Sequence, residues 1–567
     1  MQKEPLPQSE SDIQENVVPK MGLALSGGGF RASYFHLGVL RSLAKKDLLR
    51  HVEVISTVSG GTIIGVLYYL ELKKLIEEKY DHEILPEDYL QIVKNIETEF
   101  YKFTSKNIRM LSFLDVMKNT KIEILKLKIL LLSNIRYTRT NYIGELFEEH
   151  LYKKFRSEDT KLRVKDLRIS PKGTSECPIN KIPSLVINTT CLNNGAGFFI
   201  TSEKSYLKHP KNSISKSAQY KGDIHTDDML LSDIISASAS VPGIFQPISV
   251  YLPELEISHS LFLVDGGVFD NQGIEALLDK GCNYFIISDG SKPLDFKFYP
   301  LYSRFGSLFK TNDILMNRNR NHTIDNLYMN YPDTVVFPHL LYGVDSHRFY
   351  PKDDWEDYIL NPSSQSDIKT EEKVFPYGYL EYISKIRTDL DAFTETEAYG
   401  LSYCGMKICD NAVNNNVSLS KLINDVPEKY QFDFDQFDAL IKSEMPSSLQ
   451  RQFEVGQSRL FKWPKILKKS AISTKVMEFL TAIMKSPFLL SWFILIVLTS
   501  NIVKVSITVG TTNPYWKFAV FLYPFIYPII YGIIIFIFVV VRSFIIFIFL
   551  KTINKWYLRV GNLDHHK

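Results

Sequence analysis

Along the N-terminal two-thirds of the chain, short apolar runs alternate with longer stretches of helical period. Met21 to Ser26 reads as a buried strand, and from Ala32 to Leu49 the apolar residues Phe35, Val39, Leu40 and Leu43 fall on one helix face. His51 to Val58 is a second buried run, followed by a helix starting near Gly60. Leu67 to Ser157 is rich in Lys, Glu and Leu with helical spacing, which predicts a helical insert over about 70–157. Within it, Lys121 to Leu132 mixes bulky aliphatics with lysines, a pattern that suits an amphipathic helix packed on the core or a surface that meets lipid head groups. Ser184 to Thr190 is another strand, with a turn at Asn193 to Gly197. A helix of small residues follows from Ser232 and ends at Pro242-Gly243, and Leu261 to Val264 is a further strand. Strands alternating with helices predict an α/β fold, three layers deep, around a mostly parallel sheet.

After Met406 the alternation stops. Residues 411–485 read as a linker, first polar and then basic, with Lys462, Lys465, Lys468, Lys469, Lys475 and Lys485 against Glu478. Two uncharged apolar stretches follow, 486–503 and 518–541. At 1.5 Å per residue the second exceeds the ~30 Å hydrocarbon core, so both are expected to form transmembrane helices in a hairpin over 486–550. Pro524 and Pro528 should kink the second. Between the two lie only Lys504 and Lys517, whereas Arg542, Lys551, Lys555 and Arg559 come after them. The positive-inside rule then puts both ends in the cytoplasm, including a basic tail over 551–567. Arg542 is itself followed by the apolar run to Leu550, so the second helix either tilts or lays its end along the interface.

Composition narrows the function. A chain of 567 residues exceeds one compact core, and a net charge of +3 predicts no strongly charged partner and no nucleic acid. Five cysteines, without paired spacing, argue against a disulfide framework. Cys404 and Cys409 have no accompanying ligands at zinc spacing, and no metal or cofactor is expected. Residues 1–19 form a polar tail without the apolar core of a signal peptide.

The candidate chemistry clusters at three glycine-rich turns. In Ile55-Ser56-Thr57-Val58-Ser59-Gly60-Gly61-Thr62 a strand breaks at a serine followed by two glycines, the geometry of a nucleophile elbow, with Thr57 where the G-x-S-x-G pattern has its first glycine. Upstream, Gly27-Gly28-Gly29-Phe30-Arg31-Ala32 links a strand to a helix and offers unpaired amides to an anion. That turn satisfies a dinucleotide fingerprint, but the fingerprint wants an acidic residue at the end of the next strand, and Glu53 lies inside that strand. An oxyanion hole for Ser59 is therefore the favoured reading. Downstream, Asp265-Gly266-Gly267 ends a strand where open α/β sheets place ligands, and Asp270 and Asp289 are rivals of the same type. Twelve histidines leave a Ser-His-Asp triad open, with His36 and His259 the candidates by motif.

Together these three turns give the chain a resemblance to the patatin-like phospholipase family, over roughly Pro19 to Met406. Gly27 to Ala32 resembles that family's oxyanion loop, Val58-Ser59-Gly60-Gly61 its nucleophile, and Asp265-Gly266-Gly267 its Asp-Gly-Gly; Leu185 to Thr190, Ala237 to Gly243 and Ile386 to Phe393 are supporting matches. The resemblance implies a patatin-like domain over 20–410 and a Ser59–Asp265 dyad that needs no histidine, acting on acyl esters of lipids. On this reading Arg31 either holds the loop or meets a phosphate head group. The partners implied are a lipid substrate and the bilayer. The rival readings are an idle hydrolase fold serving as a membrane-bound interaction protein, and a dinucleotide-binding α/β protein.

Overall fold

The computed structural model describes residues 19–129, 137–156, 160–173, 178–208, 224–251, 260–291, 304–340, 378–427, 429–441, 445–457, 532–533 and 535–566. The first expected span, 486–503, and residues 518–531 of the second lie outside these residues, as do His259 and the tail 1–18.

The sheet grows from the apolar runs. β1 (Met21–Leu25) is flanked by β2 (Val52–Val58) and β8 (Tyr284–Ser288); β3 (Ser184–Cys191) lies beyond β2 and β9 (Val335–Val336) beyond β8, all parallel. Side chains alternate faces at the period of two that strands impose. Leu23, Leu25, Ile55, Leu185 and Ile187 join the main core, whereas Ala24, Val54, Val186, Phe285 and Ile287 join a smaller one on the opposite face. Helices cover both faces, completing the three layers.

The sheet is mixed rather than mostly parallel. β4 (Gly197–Thr201), β5 (Tyr206–Lys208), β6 (Ile248–Val250) and β7 (Leu261–Asp265) all pair antiparallel. The cause is local: the turn at Asn193 to Gly195 is too short for a crossover, so β4 can only return as a hairpin. β3 is shared, pairing with β4 along its length and with β7 at its end, which brings Asp265 opposite Thr189.

The connections are helical as expected. α1 (Gly29–Lys45) follows β1, α2 (Gly60–Glu78) follows β2, and α3 (Pro86–Ser105) and Val116–Ile129 belong to the insert. The helix Glu395–Asn414 packs on α1 so closely that Gly38 and Gly405 each face the other helix's backbone, with no space for a Cβ.

The stretch after 411 differs from the linker expected there. Leu419, Val426, Phe432, Phe434, Phe437, Leu440, Leu449 and Phe453 are buried in the main core, so the described residues up to 457 are part of the α/β domain. Up to Leu440 the apolar residues are spread singly among Asn, Asp and Lys on short 3₁₀ turns and loops, too thinly to give a periodic signal, whereas Leu449 and Phe453 share one face of the helix Ser447–Gly456.

The end of the chain also differs. One helix runs from Ile535 to Val560, past the expected end at 541, with a π-helical segment at Phe549–Asn554. The residues expected to form a free basic tail return to the domain: the Asn107 amide donates to Asn554 Oδ1 (3.1 Å), Tyr557 donates to Glu397 (2.8 Å), and the Gly561 carbonyl accepts from Thr396 N and Oγ1 (3.0 and 2.8 Å).

Candidate active site

Ser59 stands between β2 and α2, with φ 51° and ψ −117°. A non-glycine residue there is strained by roughly 1–3 kcal/mol, and such strain persists only where neighbours enforce it. The neighbours are identifiable. The Ser59 N–H donates to Ser238 Oγ (3.0 Å), and Ser238 Oγ donates to the Asn188 carbonyl (2.7 Å). Gly60 lies directly on Gly29, where a Cβ would overlap the Gly29 carbonyl. The elbow is thereby wedged against the glycine turn, and Ser59 sits at the positive end of the α2 dipole.

Thr57, the departure from the elbow pattern, is accommodated by hydroxyls and by a compensating glycine. Its Oγ1 donates to the Val186 carbonyl (3.2 Å), and Thr62 Oγ1 lies 3.2 Å from Thr57 Oγ1 and 2.8 Å from Ser238 Oγ. A Cβ on Gly65 would come within 2.5 Å of Thr57 Cγ2, so the space a glycine usually leaves in the strand is recovered one turn into the helix.

Asp265 ends β7 beside Ser59, and both are nearly closed to solvent, 5% and 4% exposed. One carboxylate oxygen accepts from Gly267 N–H (2.8 Å); the other, Oδ2, is buried without a hydrogen-bond partner among the described residues. Burial pushes the Asp265 pKa up to about 7, while the nearby Ser59 hydroxyl and the Gly267 N–H pull the other way. The Ser59 hydroxyl is thus close enough to be felt but does not close a hydrogen bond to Oδ2, a common state of such pairs without substrate. Gly266 takes the close approach to the Asn188 backbone, and Met316 of the helix Arg304–Asn330 lies against Gly267.

The glycine turn supplies fewer free amides than its length suggests. Gly27 N–H donates to the Asn271 carbonyl (3.0 Å) and Phe30 N–H to the Asp389 carbonyl (3.3 Å). Among the described residues, the amides of Gly28 and Gly29 take no protein acceptor; both glycines have positive φ, 143° and 57°. Phe30 is a core anchor, set edge-on against Phe100 and Phe103 at 5.7 Å each. Arg31 is buried: its Nε and Nη2 donate to the Gly290 carbonyl (3.1 and 2.9 Å) and its Nη1 to the Ile386 carbonyl (3.1 Å), so it holds the turn and does not face a head group.

The alternatives separate on position. Glu53 is at the start of β2, at the opposite end of the parallel strands from the glycine turn, which removes the acidic partner a dinucleotide would need there. His36 is fully buried between Ser288 Oγ (2.6 Å) and the Ser26 carbonyl (2.9 Å), and burial lowers its pKa to about 4, so it is neutral and structural. Asp270 caps the backbone of Gln272 and Glu275. Burial raises Asp289, but Arg320 (2.5 Å) and Ser291 outweigh it and hold its carboxyl well below the ordinary range. Cys404 and Cys409 are buried free thiols, and no metal-ligating cluster occurs among the described residues.

The three supporting stretches complete the surroundings, with roles that the sequence did not assign to their residues. Ser238 and Asn188 hold the elbow, and the loop Ile386 to Phe393 buttresses the glycine turn, with the Thr388 carbonyl 2.8 Å from where a Gly29 Cβ would stand. At the centre of that loop, buried Arg387 donates to Asp391 (2.8 Å), Glu397, the Ala392 carbonyl and the Gly456 carbonyl (3.1 Å).

The site is thus a strained serine at a strand–helix elbow beside a glycine turn, carried on a mixed α/β sheet. Residues 23–278 match the family described as patatin-like phospholipase. Among solved structures, human GIVD cytosolic phospholipase A2 in complex with methyl gamma-linolenyl fluorophosphonate is 19% identical over 35% of this chain and 25% of that one, with a TM-score of 0.23. Another structure of human GIVD cytosolic phospholipase A2 is 13% identical, covering 49% of this chain and 46% of that chain, with a TM-score of 0.26. VipD from Legionella pneumophila is 13% identical, covering 57% and 61%, with a TM-score of 0.25. The chain therefore spans about a quarter of the length of the first of these structures. Comparison with curated proteins gives no match.

Proposed function

We propose that the protein is a membrane-anchored hydrolase of lipid acyl esters, working through Ser59 and Asp265. Ser59 Oγ attacks the acyl carbonyl carbon while its proton passes to Asp265 Oδ2. The oxyanion that forms is met by the Gly28 and Gly29 amides, with the α2 dipole behind the elbow. The acyl C–O bond then breaks and Asp265 returns the proton to the departing alcohol. Water repeats the sequence on the acyl-serine, giving a free fatty acid and restoring both side chains.

The observation that carries this reading is the unpartnered, buried Oδ2 of Asp265 beside a strained Ser59. A buried carboxylate oxygen without a donor costs stability, and a proton delivered from Ser59 is what this position can use. No cofactor is required. The apolar stretch 486–503 and the part of 518–541 that precedes the helix at Ile535 anchor the protein, with the hydrolytic domain on the cytoplasmic side. Tethering replaces a diffusive search by a high local substrate concentration.

Labelling of the full chain in membranes with a serine-reactive fluorophosphonate tests the proposal. Wild type should label and release fatty acid from phospholipid vesicles, and Ser59→Ala should do neither. A wild type that is active but unlabelled sinks it.

A further inference from the structure

The helix Ile535–Val560 has two unlike faces. Ile535, Val539, Arg542, Ile546, Asn554 and Tyr557 recur at helical spacing and are all buried. They form a seam along the hydrolytic domain: Val116 packs on Ile535 and Val539, the Arg542 guanidinium stacks 3.9 Å above the Phe113 ring, and Ser543 donates to the Phe113 carbonyl (2.8 Å). Asn554 and Tyr557 continue it to Asn107 and Glu397. The opposite face is bare hydrocarbon: Ile537 is 55% exposed, Val541 51%, Phe544 63%, Phe547 50% and Ile548 45%.

We infer that this helix lies in the plane of a lipid surface, with the face of Ile537, Phe544 and Ile548 among the acyl chains, and so sets the depth and tilt of the active site. The inference rests on the lipid-hydrolase reading only for its consequence; the placement follows from the seam. From Ile535 to Tyr557 the seam runs about 33 Å, longer than the hydrocarbon core is thick. A helix crossing the bilayer while docked along that length would carry the elements beneath it into hydrocarbon, among them Arg109, Asp115, Lys118 and Glu145, and buried membrane charge is costly. Lying flat, the helix keeps those charges in water and buries only its apolar side. Its end fits the same plane: Trp556 is 50% exposed, and Lys551, Lys555 and Arg559 are exposed beside it, an aromatic and basic edge that suits anionic head groups.

Depth measurement decides this. Single nitroxide labels at Ile537→Cys, Phe544→Cys and Ile548→Cys are placed on the full chain in vesicles of phosphatidylcholine and phosphatidylserine. Relaxation by oxygen and by a nickel chelate reports the depth of each. All three should lie at nearly equal, shallow depth. A crossing helix would separate Ile537 from Ile548 by about 17 Å, and that gradient overturns the inference. Full access to the chelate, or spin–spin broadening from a second copy on this face, overturns it equally. In a second arm, Phe544→Asn with Phe547→Asn should lower fatty-acid release from the vesicles about tenfold while a short-chain soluble ester is cleaved as by wild type. An equal fall on both substrates counts against the surface. If wild type cleaves neither substrate, the hydrolase reading fails and the depth profile still stands or falls alone.

Discussion

Asp265 carries the largest electrostatic cost in the site, and its sign can be followed through pH. Burial raises its pKa from 3.8 to about 7, so between these values the folded chain holds a proton that the unfolded chain has lost. Stability therefore falls as pH rises from about 4 to about 7, and the full penalty, on the order of a few kcal/mol, is present above pH 7. Asp265→Asn should remove this fall: its Tm should exceed that of wild type at pH 8 and approach it near pH 4, as thermal unfolding would show. The same substitution should lower fatty-acid release by at least about a thousandfold, because the amide cannot accept the serine proton. Wild-type kcat/KM should climb through about pH 7 as the base ionises. Thr57 gives a second test at this scale. Gly65→Ala should cost about 1–3 kcal/mol by driving a methyl into Thr57 Cγ2, and Thr57→Gly should relieve most of it in the double variant, a coupling that urea unfolding of the four proteins measures.

Each of the three turns reads from the sequence because its glycines mark positions where backbone must bend or approach backbone. Ser59, Asp265 and the loop Gly27 to Arg31 are legible for that reason, but not which amides of that loop stay free. What holds the turns was less so. Ser238 acts on the Ser59 amide from a helix almost 180 residues away, and nothing in a helix of small residues distinguishes a packing serine from one that bonds the elbow. Arg31 read equally as a head-group ligand, since a sequence does not show that its partners are the carbonyls of Gly290 and Ile386. Arg387 belongs with these: a buried guanidinium matched by Asp391 and Glu397, in a loop whose carbonyls brace Gly29 and Phe30. Arg387→Met should destabilise the fold by roughly 3–5 kcal/mol by leaving buried Glu397 without its cation and Asp391 with Arg109 alone. Tyr557→Phe removes one donor to Glu397 and should cost only about 1 kcal/mol, with hydrolysis of a soluble ester retained. Differential scanning calorimetry of the two variants checks that ordering.

At the scale of the molecule, alternating apolar runs foretold a layered α/β core, and the parallel strands around β1 follow from them. The antiparallel half of the sheet did not show, because hairpin and crossover strands share one hydrophobic pattern and differ only in the length of their connection. Hydropathy likewise found an apolar C-terminus but not its amphipathy. The seam residues Arg542, Ser543 and Asn554 interrupt the hydrocarbon too sparsely to mark a face until Phe113 and Asn107 are seen beneath them. That docking has a consequence in time. A ribosome releases the elbow, the glycine turn and Asp265 long before it reaches Tyr557 and Gly561, yet Glu397 and Thr396, next to the Arg387 cluster, gain their partners only from those late residues. The α/β domain is thus braced by residues far in sequence from Ser59, and a chain cut before Tyr557 leaves Glu397 and Thr396 without these partners.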